Sequence, residues 1–400
     1  MRPSRPRLSG QRSKVYMCIQ YQPHPSFPLP PCGRLRSALV FKGVGGTLES
    51  LCRENLAPIE PINPSPLLYS DAHSTNANPI ASTTMSFIVN VFNSATRLLD
   101  AVPELVHDPI QANTILPYAL KRKAQEESGL ASSAYSSFPD GVPPLWVVLW
   151  TERHGTQRPM LDLVVAITNS NISTLPLFIF TPHQAALTTP DFLFPRIARL
   201  VDVLKTVIDA SRVFAVFAPV QITRLFANLW SWKTGIAAVD TPYYRAVLAT
   251  VTLDSLASSL ADPQSFRRNR LAQMADLEEV APQFKAFADD SVIYPMTLDQ
   301  AREEACEYIR ERKLWLCEAE PGGDGVRTIV SIVAATRNSG THAFITKVFT
   351  PRQFRQQGHA KHLVAWVSKT LPGSTGIYDS VAFRGRGKCG SCPYVHQGRI

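Results

Sequence analysis

The chain has 400 residues, enough for two or three domains of ordinary size, and its 45% hydrophobic content is that of a water-soluble globular protein. It has no run of about 18 apolar residues, which argues against a membrane span. The formal net charge of +9 sits mainly at the ends: residues 1–54 carry nine Lys/Arg against two Asp/Glu, and residues 384–400 carry four Arg/Lys and no acid. The middle is close to neutral, so no basic face for nucleic acid is implied.

Residues 1–84 read unlike the rest. Twelve prolines fall among the first eighty residues, hydrophobic periodicity is poor, and a disordered segment is expected. Residues 1–14 are basic and free of acid, as mitochondrial transit peptides are, although Pro3 and Pro6 break the helix that import needs. Ordinary patterning begins after Met85, so a start at Met85 and an over-extended gene assignment is the preferred reading. The expected location is the cytoplasm, or the mitochondrion should residues 1–84 be genuine.

Residues 86–260 read as a first α/β unit. The pattern predicts a helix over 110–125, strands over 146–151, 161–168 and 175–180, and a helix over 196–209 whose Ile197, Leu200, Val201, Leu204, Val207 and Ile208 share a face. A strand over 212–217, a helix over 220–230 and a strand over 244–253 follow. Residues 262–269 form a polar joint.

The second unit, 270–383, is predicted to contain helices over 276–289 and 297–314. Thr297 and Gln300 form a capping box at the start of the second helix. Strands follow over 314–319, 328–337 and 343–350, and then a helix over 359–370. Between the last strand and that helix lies the loop Arg355-Gln356-Gln357-Gly358-His359-Ala360. A glycine in such a loop permits close backbone approach, and a helix N-terminus favours an anion such as a pyrophosphate.

Val348-Phe349-Thr350-Pro351, followed by the 355–360 loop, resembles the signature of the GNAT acyltransferase superfamily. The resemblance covers about a quarter of the chain and is in particular to fungal members with an extra N-terminal half. It implies a mixed, mainly antiparallel sheet flanked by helices, an α/β (α+β) fold. The chain would be an acyl-CoA-dependent N-acyltransferase moving acetyl from acetyl-CoA to an amine by direct attack. The backbone N–H groups of Gln356, Gln357, Gly358, His359 and Ala360 would hold the pyrophosphate, the Arg355 side chain would add a cation there, and Val348, Phe349 and Thr350 would lie along the pantetheine. Tyr378, in a Tyr-x-x-x-Ala-Phe run, would protonate the leaving thiolate. Glu304, Glu307 and His342 are candidate bases by location.

The first unit reads as a degenerate repeat or an unrelated α/β domain, because its 181–190 loop has two prolines and no glycine. Only six residues separate Leu371 from Tyr378, so one strand of the fold is expected to be missing. Residues 384–400 read as a basic tail. The alternative function is a catalytically silent CoA-binding or interaction protein. Seven cysteines make no disulfide framework, and Cys389, Cys392 and His396 give at most half a zinc site, so no metal is expected. The expected partners are an acyl-CoA and an amine, with no nucleic acid.

Overall fold

The computed structural model describes residues 14–21, 86–129, 143–152, 158–170, 174–184, 189–239, 242, 244–251, 267–290, 296–320, 325–339, 342–371 and 380–386. They form an α/β structure built on one long mixed sheet. No helix among the described residues is long and apolar enough to cross a membrane. Within the N-terminal extension, Lys14–Tyr21 is strand β1 rather than part of a featureless segment.

The first unit opens with β2 (Phe87–Phe92), which the sequence pattern did not reveal. Helices α1 (Ala95–Ala101), α2 (Glu104–His107) and α3 (Leu116–Glu127) follow. Strands β3 (Leu145–Thr151), β4 (Met160–Ile167) and β5 (Leu177–Phe180) then run antiparallel in turn. Helix α4 (Pro190–Val207) crosses over to β6 (Ala215–Pro219), which is parallel to β5. Helix α5 (Val220–Thr234), the two-residue β7 (Ala237–Ala238) and β8 (Tyr244–Val251) complete it.

The second unit follows the order of the first from β2 to β6, with two α-helices instead of three after its opening strand. It runs through β9 (Arg268–Leu271), α6 (Leu277–Asp289), α7 (Leu298–Arg310), and the antiparallel β10 (Leu314–Ala319), β11 (Thr328–Ala335) and β12 (Ala343–Phe349). Helix α8 (His359–Thr370) leads to β13 (Ser380–Arg386), parallel to β12. The sheet order is β2-β3-β4-β5-β6-β1-β8-β13-β12-β11-β10-β9, with β7 paired to β1 off this path. The units join at β8 and β13, antiparallel from Val251 opposite Ser380 to Arg245 opposite Arg386. Strand β1 lies parallel between β6 and β8.

Helices cover both faces of each unit's strands, so β3, β10 and β11 are buried along nearly their whole length instead of alternating. In β3, Val147 and Leu149 pack with α4 and α5, while Trp146, Val148 and Trp150 pack with α1 and α3. The second unit is layered likewise. Leu314, Leu316 and Phe349 meet α6 and α7, and Trp315, Val333 and Ile345 meet Leu363, Val364 and Val367 of α8.

Three expectations are corrected. The helix expected over 110–125 begins at Leu116, because Pro117 lacks the N–H an earlier start would need and fits the first turn instead. Helix α4 starts at Pro190, ahead of the predicted 196, because Thr189 caps it: Phe192 N donates to Thr189 Oγ1 at 3.4 Å. The strand expected to be missing beside β12 is β13, and it includes Arg384, Gly385 and Arg386, which read as tail. Arginine and glycine are poor local strand formers, but pairing with β8 on one side and β12 on the other supplies the ladder. The capping box at α7 forms as expected: Thr297 N donates to Gln300 Oε1 at 2.9 Å, and Gln300 N to Thr297 Oγ1 at 3.2 Å.

Candidate functional site

Strand β12 follows β11 along one edge up to Phe349. Along its other edge it pairs with β13 only from Ala343 to Ile345, while β13 continues beside β8. The two parallel strands therefore part after Ile345. Among the described residues, no strand pairs with that edge of β12 over 346–349. A register shift between Ala334 and Ala335 of β11 falls opposite Thr346, where the parting starts.

The side chains of β12 are spent on packing, which leaves its backbone for the cleft. Val348 packs toward α8, and Phe349 is buried against the α6–α7 layer. Ser331, fully buried on β11, donates to Phe349 O at 3.0 Å and lies 3.0 Å from Thr350 Oγ1, fixing the strand end. Arg355 was expected to face a ligand. Its Nε instead donates to Thr350 O at 2.9 Å, with Nη2 3.8 Å from Asp290, so it latches the turn back onto the strand.

Beyond that latch the chain makes two left-handed turns, Gln356 at φ 69° and Gly358 at φ 79°. Glycine adopts such a φ at little cost, and here Gly358 is the N-cap of α8. The first helical bond runs from His362 N to Gly358 O at 3.0 Å. The N–H groups of His359, Ala360 and Lys361 thus have no acceptor within the helix, and the positive end of its dipole lies at the mouth of the cleft. Gln356, Gln357 and Gly358 are exposed, whereas His359 and Ala360 are buried.

Arg267 also reaches this loop, from the residue just before β9. Its Nη2 donates to Gln357 O at 2.6 Å and its Nε to His359 Nδ1 at 3.2 Å. Burial, with Arg267 and His362 nearby, lowers the His359 pKa to about 4, so the ring is neutral near pH 7. Because Nδ1 accepts from Arg267, the proton sits on Nε2, which donates to Gln357 Oε1 at 3.1 Å. A fixed guanidinium thus stands beside exposed amides. Sequence reasoning missed it, since 92 positions separate Arg267 from His359 and it looked like one residue of a polar joint.

The other candidates fare differently. Tyr378, Cys389, Cys392 and His396 lie outside the described residues. Glu304 is held by Lys347 at 3.0 Å and by the Tyr308 hydroxyl at 2.9 Å. Glu307 is paired with Lys121 of α3 at 3.1 Å. The His342 ring stacks on Phe344 with centroids 6.3 Å apart, in the turn before β12.

The same place in the first unit carries an echo. Phe180-Thr181-Pro182 ends β5 as Phe349-Thr350-Pro351 ends β12. There, however, the following helix opens with Pro190, which has no N–H, and places Asp191 in its first turn, and both disfavour an anion. The interior is filled by a charged cluster. Arg196 Nε is 3.0 Å and His183 Nε2 3.3 Å from the fully buried Asp162, which also accepts from Thr151. The Arg196 guanidinium lies 3.7 Å from the centroid of the Phe192 ring.

No family model matches this chain, and no curated protein matches it. Solved structures do. A GCN5-related N-acetyltransferase from Sphaerobacter thermophilus aligns over 78% of this chain and 89% of its own, at 12% identity and a TM-score of 0.35. A GCN5-related N-acetyltransferase-like protein from Streptococcus suis aligns over 58% and 77%, at 14% identity and a TM-score of 0.29. The aminoglycoside N-acetyltransferase AAC(6')-Iy in complex with CoA aligns over 30% and 79%, at 18% identity and a TM-score of 0.24. At these identities and scores the likenesses carry no functional conclusion.

Proposed function

We propose that this chain is an acyl-CoA-dependent N-acyltransferase that transfers acetyl from acetyl-CoA to a primary amine by direct attack in a ternary complex. The observation that carries the reading is the parting of β12 from β13 after Ile345, with the Gly358 loop and the start of α8 at its mouth. The amides from Gln356 to Ala360 would take the pyrophosphate, and Arg267 would add positive charge there. The open edge of β12, including Val348, Phe349 and Thr350, would pair with the pantetheine as a strand would. One N–H on that edge would face the thioester oxygen and stabilise the oxyanion of the tetrahedral intermediate. We assign the protonation of the leaving thiolate to Tyr378, and we place the protein in the cytoplasm.

The test is acetyl-CoA binding by calorimetry, followed by thiol release with a panel of primary amines. Saturable binding with amine-dependent release supports the proposal, and absence of binding rejects it. A second reading, a CoA-binding protein without turnover, is favoured by the pairing of Glu304 with Lys347 and of Glu307 with Lys121, since neither carboxylate is then available to an incoming amine. Binding without thiol release would select it.

A further inference from the structure

Lys347 lies on β12 one residue past the point where that strand leaves β13. Its neighbour Val348 packs toward α8, whereas Lys347 turns to the opposite face, under α6 and α7. There its Nζ is 3.0 Å from the Glu304 carboxylate. It also lies 5.5, 5.2 and 5.7 Å from the ring centroids of Phe284, Phe287 and Tyr308. Tyr308 donates to Glu304 at 2.9 Å. The two charged side chains are only 15% and 13% exposed. Three rings and a carboxylate around one nitrogen form a pocket suited to an amine. As a source of stability it is unremarkable, because a buried ion pair gains little over apolar side chains of similar volume.

Its position gives the pocket meaning. A donor anchored at the Gly358 loop and running back along the open edge of β12 passes residues 350 to 346. At roughly 3.3 Å per residue, that is about 13 Å, and it brings the acyl end beside Lys347. We propose that Lys347 is itself an acyl acceptor, so that the protein acylates its own Nζ. This rests on the acyl-CoA reading above.

In the step, Glu304 takes a proton from the Lys347 ammonium and the neutral nitrogen attacks the thioester carbonyl carbon. The tetrahedral intermediate collapses, forming the C–N amide bond and breaking the C–S bond. Of the two protons the ammonium gives up, one passes through Glu304 to solvent and the other goes to the departing thiolate. Nothing is oxidised or reduced. The amide carries no charge, so acylation ends the ion pair and leaves Glu304 with the Tyr308 hydroxyl.

The experiment incubates the full chain with isotopically labelled acetyl-CoA and maps label by peptide mass spectrometry, with acetyl-CoA binding measured on the same sample. Lys347 is expected to reach majority occupancy while the exposed Lys361 and Lys369 stay at the background of direct chemical acetylation. Glu304→Gln is expected to bind acetyl-CoA normally and to label Lys347 at least tenfold more slowly. If acetyl-CoA binds and Lys347 is labelled no faster than Lys361, self-acylation is wrong and the transferase reading stands; if Glu304→Gln labels Lys347 at the wild-type rate, the step drawn through Glu304 is wrong. Failure to bind acetyl-CoA overturns both.

Discussion

Gly358 is where the proposed site is most sharply exposed to test. Its φ of 79° is open to glycine, while a side chain there costs about 1–2 kcal/mol in backbone strain. Space is not the obstacle: a Cβ added at Gly358 would sit 3.8 Å from Arg267 Nη2, an ordinary contact. Gly358→Ala should therefore lower stability by only about 1–2 kcal/mol and leave the fold intact. Gly358→Pro is harsher, since it removes an N–H and demands a φ near −65°. The proline change therefore turns the loop amides away from their present aim. A hydrogen bond to a charged group is worth about 1.5–3 kcal/mol, so losing one should weaken CoA by roughly 10- to 150-fold. Calorimetric titration with CoA, beside a thermal melt of the same samples, separates the two effects. A folded Gly358→Pro protein that binds CoA within twofold of wild type would refute the reasoning.

Further expectations follow from neighbouring groups. Arg267→Ala should weaken CoA by about tenfold and flatten the salt dependence of binding, since one charge-assisted contact is lost; calorimetry at two ionic strengths reads both. The depressed His359 pKa means that the unfolded chain binds the extra proton first, so stability falls as pH drops from 6.5 toward 4. His359→Asn should remove that part of the slope in denaturant melts across the window. Asp162→Asn should cost about 3–5 kcal/mol by leaving Arg196 buried without its counter-charge, yet leave CoA affinity unchanged. A loss of CoA binding in that variant, with the fold retained, would assign the first unit a part in the site.

Legibility from sequence followed the range of the forces involved. The run from Ala343 to Thr370 was readable because strand, loop and helix are each set by near neighbours, and α8 spans the residues its periodicity predicts. The strands that close the sheet between the two units were not. Strand β1 lies in a proline-rich extension, and β13 ends in Arg384-Gly385-Arg386, so both owe their form to partners far along the chain. Arg267 was hidden for the same reason, and the cage around Lys347 draws on β12, α6 and α7 together. One local signal was present and passed over: Phe-Thr-Pro stands at both 180–182 and 349–351, at the end of β5 and of β12.

The ladder between β8 and β13 also bears on how the protein can be divided. Severed from residues before Arg268, the second half would lose the neighbour that flanks β13 along seven residues. It would then present a bare row of amides and carbonyls to any passing chain, an invitation to clump. The front half is thus a lifelong chaperone to the back one, and whoever expresses these pieces should keep them on one polypeptide.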